Sequence, residues 1–209
     1  MALSKQKLVD GLKEAFAKAK EVEESTKKVD GKDVKVSDPK HSQDAIAGFI
    51  SDAIVSYTSE AEITITAPFT IPTLVPSSDA SVVGKKLKVQ TAQIGKPALK
   101  NAILASMNSR DTAMLAVTNG IIAYTMASFT AFAAGAVTGA GAAVMAVPPA
   151  LVSPLAFGRG TPESQGGSED EVIDLIASII HASFLGTTFT GAGANTAPVS
   201  AGPVVSTLT

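Results

Sequence analysis

Residues 44–66 read DAIAGFISDAIVSYTSEAEITIT. Two periods meet in this stretch. Ile46, Phe49, Ile50, Ala53 and Ile54 recur at three and four residues, which is one face of a helix. Ser42 or Asp44 stands at its start as a cap. Glu62-Ile63-Thr64-Ile65-Thr66 then alternates with β-branched residues, the pattern of a half-buried strand. The same pairing returns at a constant offset of 126 residues. Asp44 falls on Asp170, Ile46 on Val172, Phe49 on Leu175, Ile50 on Ile176, Ala53 on Ile179 and Ile54 on Ile180. Carried on without a gap, Glu62-Ile63-Thr64 falls on Thr188-Phe189-Thr190. Two copies are too few for a solenoid. They fit a pseudo-symmetric pair, or two solutions to one packing problem.

Outward from this stretch, Ser4 to Glu24 reads as an amphipathic helix with Leu8, Leu12, Phe16 and Ala19 on one face. It suits either a helix docked on its own domain or an arm on a neighbouring subunit. Ser25 to His41 is charged and turn-rich, an exposed loop or a short hairpin around Asp30-Gly31. Pro68, Pro72 and Pro76 exclude a central strand and suit an extended edge or arm. Val82 to Val89 and on to Ile94 reads as a strand pair around Gly84-Lys85. Pro97 opens a helix with Leu99, Ile103, Leu104 and Met107. Asp111 caps a longer run with Leu115, Ile122, Met126 and Phe129, which Gly135 to Gly141 breaks. Gly158 to Gly167 is a polar linker, and Ser168-Glu169-Asp170-Glu171 fits a capping box. From Gly191 onward the chain lacks helical periodicity and reads as an extended or partly disordered arm.

These readings predict an α+β fold. Helices dominate, with an Ala-rich helical middle, short antiparallel strands, two helix–strand units and an extended C-terminal arm. Three segments follow: 1–41, an N-terminal helix and charged loop; 42–158, a helix–strand unit and apolar helical region; and 159–209, a linker, a second unit and the tail.

The 209 residues carry a net charge of −2, with 45% hydrophobic and only 17% charged residues. Mean hydropathy is +0.27. Soluble domains average about 25% charged residues, so this chain is charge-poor, and the deficit is local. No charged residue occurs from Thr112 to Gly158 or after Asp174. A surface so poor in charge needs cover, from the chain itself or from partners. Gly135, Gly139, Gly141 and Pro148-Pro149 interrupt the uncharged run, and no Lys/Arg clusters flank it. It reads as a buried Ala-rich helix with an apolar loop, ahead of a membrane-spanning pair. Lys5, Lys7 and Asp10 break any signal-peptide core.

Chemistry is sparse. The absence of Cys excludes a disulfide scaffold, a Cys-ligated zinc and a thiol nucleophile. The balanced charge argues against a basic nucleic-acid surface. With no Trp and two Tyr, platforms for stacking are thin. His41 and His181 have no carboxylate at local catalytic spacing. Gly139-Ala140-Gly141 and Gly191-Ala192-Gly193 lack the strand–turn–helix context of a dinucleotide site. Gly84-Lys85-Lys86 lacks the rest of a phosphate cradle. Glu21, Glu23 and Glu24, and Glu169, Asp170 and Glu171, read as solvated helix faces. No catalytic, cofactor-binding or metal residue is therefore expected, and no cofactor.

The opening Met-Ala-Leu-Ser-Lys-Gln-Lys-Leu-Val-Asp-Gly-Leu is similar to the starts of many small tailed-bacteriophage virion proteins. In those, such a helix precedes a segment like residues 45–54 and a Thr-rich strand like residues 62–66. Ala146-Val147-Pro148-Pro149-Ala150 and Gly202-Pro203-Val204-Val205 fit their Ala-rich middle and Gly/Thr/Pro tail. Pro68, Pro72, Pro76 and Lys85-Lys86-Leu87-Lys88 depart from the pattern. The resemblance implies a non-enzymatic virion subunit of the neck, tail or baseplate region, less so of the capsid surface. Its partners would be copies of itself and other virion proteins, with no direct nucleic-acid binding. The alternative is a membrane-active ejection or pore-forming component using residues 113–157 as an apolar hairpin.

Overall fold

The computed structural model describes residues 3–66, 69–71, 77–79, 83–89, 92–107, 113–128, 131–134, 137–144, 168–185, 187–196 and 199–208. Helix α1 (Lys5–Ala19) leads into a hairpin of β1 (Val22–Val29) and β2 (Lys32–Pro39). Then come α2 (Gln43–Thr58), β3 (Glu62–Ile65), β4 (Phe69–Ile71), β5 (Ser77–Asp79) and β6 (Lys86–Val89). They are followed by α3 (Lys96–Met107), α4 (Ala113–Ser128), β7 (Ala131–Ala134) and β8 (Val137–Val144). The chain finishes with α5 (Glu169–Leu185), β9 (Thr188–Thr196) and β10 (Val199–Leu208). The fold is α+β, and among the described residues helical positions outnumber strand positions.

Six strands close into an antiparallel barrel in the order β10-β3-β6-β7-β8-β9. Strands β3, β7 and β9 each begin within four residues of a helix end and run parallel to one another. Strands β6, β8 and β10 return antiparallel beside them. The barrel is thus three consecutive units of helix, outgoing strand and returning strand. The repeat read from the sequence is real at the level of structure. Helices α2 and α5 start 126 residues apart, as do β3 and β9. Ser42 Oγ accepts from the Ala45 N–H, and Ser168 Oγ from the Glu171 N–H, at the same offset. The Ala61 N–H donates to Thr58 O, and the Thr187 N–H to Phe184 O. The α4–β7–β8 unit is a third member whose sequence does not carry the offset.

The helices gather at the end of the barrel where β3, β7 and β9 begin. Helix α1 packs on α2 and α5, and α3 packs on α2 and α4. The core between them holds Leu8, Leu12, Ile54, Tyr57, Leu99, Ile103, Tyr124, Ile173, Ile180 and Phe184, with Ile63 and Ile65 from β3. Glu62 and Thr64 are half-buried between those isoleucines, the alternation read in the sequence. Gly120 of α4 lies against Ala102 of α3 so closely that a Cβ there would come within 2.2 Å of the alanine's Cβ.

Several expectations change. Helix α1 ends at Ala19, and Val22 onward is strand, because the Asp30-Gly31 turn lets the segment fold back on itself. Both turn residues have positive φ, 50° and 79°, which matches a two-residue hairpin turn. Val83-Gly84 is the turn before β6, and Ile94 lies in a turn rather than a strand. In the first turns of α2 and α5 the buried positions lie one residue round from the expected stripe. Ala53, Ile54 and Ile180 of that stripe are buried as expected, but Ala47 and Ser51, matched by Ile173 and Ala177, replace Ile46, Ile50, Val172 and Ile176 as the buried positions. Both helices are packed on more than one side, so the small residues face inward. Helix α4 buries Thr118, Ile121, Thr125 and Ser128 and exposes Met126. Tyr124 is buried on the same helix, and Thr125 Oγ1 donates to Ile121 O of its own helix.

The Ala-rich middle is helical over Ala113–Ser128, but Ala131–Ala134 and Val137–Val144 are paired strands, not helix or loop. The C-terminal segment is extended, as read, yet it is not a free arm. Strand β10 pairs with β9 along its length and with β3 at its end. The barrel draws strands from both 42–158 and 159–209, and α1 packs on both. The proline positions 68, 72 and 76, Asp111, Phe129 and the linker 158–167 lie outside the described residues; Phe69–Ile71, between the first two prolines, and Ser77–Asp79, after the third, pair as a small antiparallel sheet.

Candidate functional site

The residues that carry chemistry separate into a charged helical end and an uncharged barrel wall. Three lysines of the N-terminal helix segment reach the start of α5. Lys5 pairs with Asp174 (2.8 Å), Lys13 with Asp170 (2.9 Å) and Lys20 with Glu169. Glu171 is occupied differently: its Oε2 accepts from the Ser168 N–H at 2.7 Å, completing the capping box. The second acidic cluster therefore anchors α1 and caps α5; it is not simply a solvated face. These pairs are exposed and individually weak. Between α1 and α5 they border an open groove of about 490 Å³ lined by Gln6, Val9, Leu175 and Ser178 among others.

The first acidic cluster lies at the hairpin base. Glu21 accepts from Lys40 (2.5 Å), and His41 Nε2 lies 3.4 Å from the same carboxylate. The hydrogen bond from Lys40 holds the Glu21 carboxyl below its usual range. The His41 ring meets the edge of Phe49. His181 is elsewhere, on α5, with Nδ1 2.6 Å from the Tyr57 hydroxyl. Burial pushes the Tyr57 hydroxyl up and, with nearby Lys5, holds the His181 imidazole below its ordinary range. A neutral imidazole protonated on Nε2 accepts the Tyr57 proton in a hydrogen bond. The two histidines are not brought together.

The last turns of α2, α4 and α5 converge on one buried aromatic cluster. Phe184 packs edge-on against both Tyr57 and Tyr124. The Tyr124 hydroxyl, pushed up to about 12 chiefly by burial, bonds Thr58 Oγ1. Sequence reading missed Thr58 and Tyr124 because their meeting depends on helix packing, not on spacing. Among the described residues no group of three His, Asp or Glu stands close enough to hold a metal.

The glycine motifs considered for nucleotide binding lie side by side. Gly139 stands opposite Gly193, Ala140 opposite Ala192 and Gly141 opposite Gly191. They are ladder partners in adjacent strands, where glycine suits a bend in a barrel wall. Gly84, at φ 83°, lies in the turn that leads into β6, and its N–H donates to Ile65 O at the end of β3.

No family model, curated protein or solved structure matches this chain.

The barrel wall is where charge is missing. Strands β7, β8, β9 and β10 are neighbours and contain no Asp, Glu, Lys, Arg or His. The charges of the barrel strands are Glu62, Lys86 and Lys88, on β3 and β6. Adjacent strand residues alternate between the two sides of a sheet. Whatever faces outward from those four strands is therefore uncharged.

Proposed function

We propose that this chain is a non-enzymatic structural subunit of a phage-like particle, of the neck, tail or baseplate region, working in the virion. The observation that carries the reading is the run of four adjacent barrel strands without an ionisable residue. A closed barrel has no free strand edge around its wall, so such a surface is covered by packing against other subunits, not by strand addition. Repeated copies in a ring, or other virion proteins, supply that cover. The layout shared with small phage virion proteins supplies the setting. No helix among the described residues is long and apolar enough to cross a membrane. Where the membrane-active alternative needs an apolar hairpin, Ala131–Val144 is a pair of barrel strands, with residues 135–136 outside the described set.

The test is lysine substitution in β9. Of Ala194 and Asn195, one faces outward. Ala194→Lys and Asn195→Lys are compared by sedimentation and thermal melting. The outward one is expected to keep its melting temperature and associate at least tenfold more weakly, and the inward one to melt lower. Unchanged association in both, or leakage of dye-loaded liposomes by the native chain, overturns the reading. Mass spectrometry of purified particles is expected to detect the chain.

A further inference from the structure

The β1–β2 hairpin stands apart from the barrel as its own two-stranded sheet. Two-stranded hairpins are marginal alone in water, and this one is exposed along nearly its whole length. Strand β1 reads Val22-Glu23-Glu24-Ser25-Thr26-Lys27-Lys28-Val29. Its acids occupy one half and its lysines the other, so the strand read backwards presents the opposite charges.

The ladder fixes which of its backbone groups are free. The Lys40 N–H donates to Glu21 O at 2.9 Å, one step beyond the Val22–Pro39 pair. Bonded pairs alternate in an antiparallel ladder. Glu23, Ser25, Lys27 and Val29 therefore spend their N–H and C=O groups on β2. Val22, Glu24, Thr26 and Lys28 turn theirs outward, to an edge that no other described strand occupies. The outer edge of β2 is different: Pro39 has no N–H to offer there.

We propose that this edge pairs with β1 of a second copy, antiparallel across a two-fold axis through Ser25, to form a four-stranded intermolecular sheet. Outward groups must meet outward groups, so the axis passes through a residue. With Ser25 opposite Ser25, Glu23 of each copy faces Lys27 of the other. Glu24 faces Thr26, with Lys28 of the other copy on one diagonal of the same face and Glu24 of the other copy on the second. No like charges stand directly opposite one another. Glu24 and Lys28 have no ion-pair partner among the described residues. Ser25 supplies an independent observation. Its hydroxyl is buried and has no hydrogen-bond partner among the described residues. On the axis it sits in the narrow type of pair, with Cα atoms about 4.5 Å apart, where two hydroxyls bond each other. The contact deepens the assembly reading and rests on it for the presence of a second copy.

The chain contains no Cys, so a single thiol reports the axis. Under mild oxidation of the full-length protein, Ser25→Cys is expected to form a disulfide dimer at least tenfold faster than Lys35→Cys on β2; equal rates overturn the contact. Two charge variants check it without a new bond. Glu23→Lys/Glu24→Lys and Lys27→Glu/Lys28→Glu are each expected to pair at least tenfold more weakly by sedimentation equilibrium. Mixed in equal amounts they are expected to form a mixed dimer, which also shows that both fold. Association unchanged in each variant overturns the hairpin contact while leaving the barrel-mediated association intact. A native chain that stays monomeric at high concentration overturns both.

Discussion

At the residue scale, the informative groups are buried polar side chains that local pattern does not reveal. Tyr57 and His181 lie 124 positions apart and meet at 2.6 Å. The sequence marks each as a solitary aromatic or histidine; only the tertiary fold, which brings side chains near the ends of α2 and α5 together, joins them. The folded imidazole titrates below its ordinary 6.5 because it is desolvated and close to Lys5. The unfolded chain therefore binds a proton that the folded chain refuses, and stability rises with pH across that range. The stabilisation is complete above about pH 6.5 and declines as the pH falls toward the depressed folded value. Melting temperature is expected to be lower near pH 5 than near pH 7.5, and His181→Gln is expected to flatten that difference; an unchanged slope in the variant assigns the effect elsewhere. The charged residues were legible as solvated. That Lys5, Lys13 and Lys20 each find an acid on α5 was not, because ion pairing across helices follows from docking geometry.

At the element scale, the repeated unit is where sequence and structure agree most closely. Caps are local: a serine side chain and an N–H three residues on suffice to start a helix. Ser42 and Ser168 both do this, and they begin the two helices that the 126-residue offset relates. Ser42→Ala and Ser168→Ala are each expected to cost about 1 kcal/mol, lowering the melting temperature by roughly 2–4 °C in a chain of this size. The two caps belong to different helices and share no hydrogen-bond partner, so the double variant is expected to show the sum of the two losses by chemical denaturation. Departure from the sum beyond about 0.5 kcal/mol marks coupling between the units. Helix faces were less legible. In α4 nearly every residue is apolar or small, so periodicity alone does not select a side. The close crossing at Gly120 and Ala102 selects it.

At the scale of the whole molecule, the fold divides charge from its absence, and the two proposed contacts differ in the force that holds them. Packing through the uncharged barrel wall is expected to resist added salt. Pairing through the Glu-Glu/Lys-Lys edge is expected to weaken, since screening at about 1 M salt acts over roughly 3 Å. A salt titration followed by light scattering separates them: hairpin pairing is lost first and barrel association remains. Simultaneous loss of both contradicts that division. The sequence by itself determined the capped helices, the alternating strand at Glu62–Ile65, the Asp30-Gly31 turn, the repeat and the place where charge is missing. Each of these rests on interactions between near neighbours or on composition. The tertiary structure alone decided that the Gly-Ala-Gly segments are ladder partners, that the C-terminal segment closes a barrel, and that a third helix–strand unit completes it. Strand pairing joins residues far apart in the chain, and small uncharged side chains leave no periodic signal to announce which strand each will meet.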